Sequence, residues 1–209
     1  MGTLVEEIFS RKVGHEVQAG EILFSDIDFM MTHDNTSPLA IKAFRDVGKP
    51  IYDKNRIVIH FDHAYPAPNL KAAEAQKNIT DFIKEHDLPN FFHQGICHQV
   101  MIEEGFVKPG HVIIGGDSHS NTYGAFAALG VGFGSTEIGV AWCTAKTWFR
   151  VPETVHVVLN GAPQPGVTGK DIMLAVLGKL GATGARGKSM EFSGSYISSA
   201  PMHERIVFP

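Results

Sequence analysis

Residues 111–122, HVIIGGDSHSNT, join a short β-branched run to a loop bearing a carboxylate, three hydroxyls, an imidazole and an amide. An apolar run of this length, bounded by glycine, predicts a strand buried on both faces. Polar groups placed where it stops then lie at the carboxyl end of that strand, where open α/β sheets bind ligands. The same arrangement occurs twice upstream. Residues 21–29 (EILFSDIDF) lead into His33-Asp34, and residues 56–61 (RIVIHF) lead into Asp62-His63. One His–Asp neighbour pair on a loop is usually solvated surface, but three at equivalent strand ends predict a single cleft. His98, in the stretch GICHQ, adds a fourth imidazole. Imidazoles move protons near neutral pH, and carboxylates fix their tautomer and orientation.

Outward from these loops, the pattern alternates strands with helices. Residues 3–12 predict a short helix with Thr3 and Glu6 as its capping box. Pro38 opens a helix that Gly48 closes. A long helix spans roughly 69–86, and a segment begun at Gln94 continues over 100–106. Residues 155–159 (VHVVL) predict another strand, and 171–180 a helix that begins a new unit. Small residues dominate 124–145, which predicts helices packed closely through Gly and Ala. Within it, GVGFG at 130–134 resembles a dinucleotide fingerprint only superficially, because Ser135 replaces the third glycine. The expected fold class is α/β: a layered α/β/α domain over 1–161 with a largely parallel sheet, then an incomplete second α/β domain over 162–209. Ser199 is expected to cap a last helix. The apolar ending IVFP and the short second unit lead us to expect a fragment.

Composition narrows the function. The 209 residues carry 18 Lys+Arg against 22 Asp+Glu, a net charge of −4, which disfavours nucleic acid and anionic membranes as partners. Only Cys97 and Cys143 are present, without CxxC spacing, so a reducing, cytoplasmic setting is expected. No signal-peptide core and no long apolar run is found. The 11 histidines are the anomaly. His60 alternates toward the buried side of its strand and is expected to be structural. His15, His86, His93, His111, His156 and His203 are expected on the surface or in packing. A serine hydrolase is disfavoured by the absence of a G-x-S-x-G elbow.

Taken together, these motifs resemble the aconitase superfamily, in its branch of 3-isopropylmalate dehydratase and homoaconitase-like large subunits. The likeness is carried by LVEEIFSRKVG, VQAGEILFSDIDF, HDNTSPLAIKAF, FDHAYPAPN, GICHQVMIEEGFVKPGHVIIGGDSHSNTYGAFAALGVGFGSTE, RVPETVHVVLNG and TGKDIMLAVLGKLGATGA, which span essentially the whole chain. The resemblance implies dehydration and rehydration of a 2-hydroxy di- or tricarboxylic acid, with a [4Fe–4S] cluster acting as Lewis acid. It implies catalytic roles for Asp62, His63, His98, Asp117 and His119, with His63 the proton donor. It implies substrate contacts for His33, Ser118 and Thr122. His33 and Thr122 stand where aconitases proper have other residues, which favours the isopropylmalate-type branch.

The family holds its cluster with three cysteines beyond the region that this chain matches, and Cys97 and Cys143 do not correspond to them. The expectation is therefore that the cluster ligands are absent from this chain and that no residue here binds metal. A small subunit carrying a swivelling domain is the implied partner, and the chain alone is expected to be inactive. Three other readings compete. One is a homoaconitase or dimethylmalate-type dehydratase. Another is a non-catalytic small-dicarboxylate-binding module. The third is a mononuclear metal hydrolase using His63, His98, Asp117 and His119.

Overall fold

The structure, a computed structural model, describes residues 2–209. The chain runs α1 (Leu4–Val13), β1 (Ile22–Asp26), β2 (Phe29–His33), α2 (Ser37–Val47), β3 (Ile57–His60), α3 (Leu70–Glu85), β4 (Asn90–Phe92), α4 (Cys97–Glu103) and β5 (Val112–Gly115). A 3₁₀ segment (Ser120–Phe126) follows, then β6 (Leu129–Gly132), α5 (Ser135–Ala141), β7 (Lys146–Arg150), β8 (Thr154–Val158), α6 (Gly169–Leu180), β9 (Ser189–Ser193), α7 (Ser195–Ser199) and α8 (Met202–Arg205).

Five strands form a wholly parallel sheet in the order β4-β3-β2-β5-β6. Strand alternation sends Met30, Ile57, Ile59, Val112 and Ile114 to one face, under α1, α2, α3 and α5. Met31, Val58 and Ile113 go to the other face, where Cys97 and Met101 of α4 and Tyr123 cover them. Apolar side chains on both faces explain why these strands read as continuous hydrophobic runs. The layered α/β/α class with a parallel sheet is as expected.

The caps follow the local chemistry. Thr3 and Glu6 make the reciprocal capping box, and Gly14 ends α1 in the left-handed region at φ 80°. Pro38 sits in the first turn of α2 and Gly48 closes it.

Several elements differ from the sequence expectation. Residues 21–29 form two strands rather than one. The chain breaks at Ile27-Asp28, where Asp28 accepts from Lys12 Nζ and the Val112 N–H, and Arg56 donates to the Ile27 carbonyl. β1 then leaves the main sheet and pairs antiparallel with β7. The small-residue region 124–145 is not all helical. Residues 129–132 are a sheet strand, and its Gly130 has no room for a Cβ because the Ser120 carbonyl lies against it. The expected helix–helix contact does occur at Gly139 of α5, whose Cβ would meet the Ala40 carbonyl of α2. The segment around 94–106 becomes helical only at Cys97. Ser199 ends α7, and Pro201 precedes α8.

β8 pairs in parallel with β9 in a separate two-stranded sheet joined through α6. This C-terminal βαβ unit packs Tyr196, Ala200 and Phe208 with Ile172, Met173 and Phe192. No described helix is long and apolar enough to cross a membrane.

Candidate functional site

The strand order dictates where a site can form. After β2 the chain moves to β3 on one side, and after β5 it moves to β6 on the other, so the crossovers diverge between β2 and β5. Such a switch point opens a crevice beyond the carboxyl ends of the strands. His33 is the last residue of β2, Gly115 is the last of β5, and Gly116-Asp117 follow directly from it. A Cβ at Gly115 would overlap the Ser120 side chain, and one at Gly116 would crowd Thr36. Ser120 Oγ donates to the Asp117 carbonyl at 2.9 Å, closing a tight turn that aims the Asp117 carboxylate across the crevice.

Four imidazoles converge on that carboxylate. His98 Nε2 is 2.9 Å and His119 Nδ1 3.1 Å from Oδ1. His63 Nε2 is 3.3 Å and His33 Nε2 3.5 Å from Oδ2. The His119 backbone N–H also donates to Oδ1 at 2.7 Å. Burial alone would raise the Asp117 carboxyl, but the His119 backbone N–H, His98 and the His119 ring bring it down to about 2. Asp117 is therefore an anion that only accepts hydrogen bonds. The Asn35 backbone N–H reaches His33 Nδ1 at 3.3 Å, which leaves the proton of a neutral His33 on Nε2, facing Asp117.

Asp62 and His63 form a second layer of this wall. His63 Nδ1 lies 2.7 Å from Asp62 Oδ1, and the Cys97 backbone N–H donates to Asp62 Oδ2 at 2.7 Å. The buried His60 presents Nδ1 at 3.7 Å from the same carboxylate. Burial opposes ionisation of Asp62, yet His60, the Cys97 N–H and His63 hold it well below the usual carboxylate range. His63 thus has a carboxylate at each ring nitrogen. Its partial burial disfavours the charge, but the Asp62 hydrogen bond and the Asp62, Asp117 and Asp34 charges raise its pKa above 6.5. His33 shifts the opposite way: burial first, then the neighbouring His63, lower it from 6.5.

The structure thus brings together His33, Asp62, His63, His98, Asp117 and His119. Ser118 is exposed on the same loop, with its Oγ 3.4 Å from His119 Nδ1. Thr122 is tied to the site through its backbone, donating to the His119 carbonyl at 3.0 Å. Three further residues contribute, of which the sequence marked Asp34 as the partner of His33 in a strand-end pair but gave no functional role to Tyr123 or His60. Asp34 accepts from the backbone N–H groups of His63 (3.1 Å) and Ala64 (2.7 Å) and so binds the loop after β3 to the end of β2. Tyr123 places its hydroxyl 3.1 Å from His98 Nδ1. His60, expected to be structural, has its Nδ1 directed at Asp62 and, among the described residues, without a hydrogen-bond partner. Tyr123 and His60 carried no such signal, since neither stands in a polar cluster at a strand end.

The wall is open on one side. His119 is 79% exposed, and the surface cavities of about 520 Å³ beside Glu6 and Arg11 and about 310 Å³ beside Val167 and Tyr196 include none of these residues. Among the described residues, three sets each have ligand atoms within 4.8 Å of one another: His98–Asp117–His119, His33–Asp34–His63 and Asp62–His63–Cys97. Imidazole and carboxylate sets suit a single zinc or ferrous ion. A [4Fe–4S] cluster needs a set of thiolates, and these residues do not fit it. Cys97 is buried, and burial together with the Asp62 charge pushes its thiol far above the ordinary range. Cys143 packs against the opposite core, with Sγ 3.8 Å from the Lys49 carbonyl.

A family model described as "Aconitase family (aconitate hydratase)" matches residues 6–208. The chain is 45% identical to the 3-isopropylmalate dehydratase large subunit of Picrophilus torridus, over 99% of this chain and 50% of the relative. It is 43% identical to a probable methanogen homoaconitase large subunit of Methanothermobacter thermautotrophicus, over 97% and 49%. It is 44% identical to the 3-isopropylmalate dehydratase large subunit of a Thermoanaerobacter species, over 92% and 47%. The chain spans about half the length of the curated relatives it matches. With a family match running nearly from end to end and the His/Asp wall standing at the switch point of its sheet, the chain belongs to the aconitase family.

Proposed function

We propose that this chain is the N-terminal part of the large subunit of a hydro-lyase that dehydrates and rehydrates a 2-hydroxy di- or tricarboxylic acid. The observation that carries the reading is that one ionised carboxylate, Asp117, is engaged by all four of His33, His63, His98 and His119. Losing a hydroxyl from carbon requires a proton on the departing oxygen. His63 is the donor best suited to this, because Asp62 and Asp117 keep it charged above the ordinary imidazole range while it remains one-third exposed. His33, held neutral, presents its ring beside His63 for substrate contact. Asp117, His98 and His119 orient the departing or returning water, and Ser118 and Thr122 bind a substrate carboxylate.

The relatives' names favour 3-isopropylmalate as substrate, with the homoaconitase-type acid as the alternative. Their designation as large subunits supports a small-subunit partner, which on our reading carries the swivelling domain and closes the open side of the wall. We place the cysteine ligands of a [4Fe–4S] cluster outside these 209 residues. The separate β8–β9 sheet supports reading the C-terminal part, β8 included, as the start of a second domain. The unpaired cysteines support a reducing, cytoplasmic setting.

The test is the complete large subunit assembled with its small subunit and assayed with 3-isopropylmalate, homocitrate and dimethylmalate by the absorbance of the alkene product. Turnover of one of these acids is expected. A fully loaded complex inert toward every 2-hydroxy di- and tricarboxylate tried would overturn the reading.

A further inference from the structure

We infer that Tyr123 is a positioning residue: its hydroxyl locks the His98 imidazole in the tautomer that carries its proton on Nε2, against Asp117. This rests on the acid–base reading above only for its consequence in turnover, since the geometry stands without it.

Tyr123 is fully buried, packed on the α4 face of the sheet with Met31, Val58, Cys97, Met101 and Ile113. A phenylalanine would fill the same space, and a buried hydroxyl requires a partner. The partner is His98 Nδ1 at 3.1 Å, while the other ring nitrogen, Nε2, lies 2.9 Å from Asp117 Oδ1. The direction of this chain of bonds follows from its end. Ionised Asp117 accepts only, so Nε2 of His98 must bear hydrogen. In the neutral ring Nδ1 is then a lone pair, and the Tyr123 hydroxyl must donate to it. Burial and the surrounding Cys97, Asp117 and Asp62 push the phenol well above its ordinary pKa, which keeps it a donor. The remaining titratable ring facing His98 is His119, edge-on at 6.2 Å between centroids. Among the described residues Tyr123 is the hydrogen-bond partner of Nδ1, so loss of the phenol frees the ring to flip or its proton to shift.

The experiment is long-range proton–nitrogen NMR of histidine side chains in the ¹⁵N-labelled 209-residue chain, with His98 assigned by comparison with His98→Gln. At a pH where the ring is neutral, wild-type His98 is expected in the Nε2–H form. In Tyr123→Phe the spectrum is expected to move toward the Nδ1–H form or an averaged pattern, with backbone amide peaks elsewhere unchanged. A wild-type His98 in the Nδ1–H form overturns the inference even if the variant does not fold, and so does an unaltered tautomer in a folded Tyr123→Phe chain. In the complete enzyme, Tyr123→Phe is expected to lower kcat about 10- to 100-fold, as loss of a partner that orients an imidazole does, with KM nearly unchanged and the pH profile displaced. A tautomer change in a protein that turns over no hydroxy acid sinks the proposed function and leaves this inference standing. Full turnover with an unmoved tautomer and pH profile does the reverse.

Discussion

The His33 and His63 rings lie face to face, their centroids 3.6 Å apart and their planes 8° from parallel. Two imidazolium ions in that contact repel one another, so the stack takes up one extra proton first, and the carboxylates assign that positive charge to His63. NMR titration is expected to show His63 titrating above 6.5 and His33 below it. The stability consequences have opposite signs. The contribution of His63 is complete below pH 6.5 and is lost as pH rises through its higher folded value. The contribution of His33 is complete above pH 6.5 and is lost as pH falls toward its lower folded value. A single common step for both rings would contradict the assignment.

Asp117→Asn keeps the shape of the hub and removes the charge that four imidazoles share. In the complete enzyme kcat is expected to fall about 10²- to 10⁴-fold, the range for acid–base groups. Circular dichroism should show the fold retained. A loss below tenfold would remove Asp117 from the centre of the chemistry.

The Asp34 carboxylate is committed to two backbone N–H groups of the loop after β3. Asp34→Ala leaves both donors unsatisfied and is expected to cost about 1–3 kcal/mol each, read from chemical denaturation. Amide exchange at His63 and Ala64 should accelerate more than exchange within β3.

Glycine substitutions separate close contact from mere flexibility. Gly139→Ala forces a methyl into the Ala40 carbonyl and the Ala43 side chain, for an expected loss of about 1–3 kcal/mol. Gly178→Ala in α6 meets open space and should stabilise by about 0.4–1 kcal/mol. Melting temperatures that move in the same direction would refute the packing account.

How much of this was legible beforehand depended on the kind of residue. The runs at 57–59 and 112–114 declare themselves because β-branched side chains packed on both faces leave no polar position. β4 is three residues long, and β6 reads LGVG, so neither offers a period to detect. The residues of the wall were visible as His–Asp neighbours at strand ends. Their convergence on one carboxylate was not, because it depends on β2 and β5 lying side by side. Tyr123 sits in a run of small and apolar residues and is indistinguishable there from a core aromatic. Its role appears only once α4 brings His98 over it.

The break at Asp28 also has a consequence for how the chain reaches this state. Asp28 accepts from the backbone of Val112, 84 residues later, and β2 takes β5 as its neighbour in the same place. While the protein is being synthesised, β2 and β3 can pair early, but one edge of β2 stays bare until β5 leaves the ribosome. At about 5–20 residues per second that interval is on the order of several seconds. Throughout it, the future centre of the sheet is an exposed apolar edge open to wrong partners. The switch point that makes the crevice is therefore also the last seam of the sheet's centre to close, and the acid–base wall comes into being only with it.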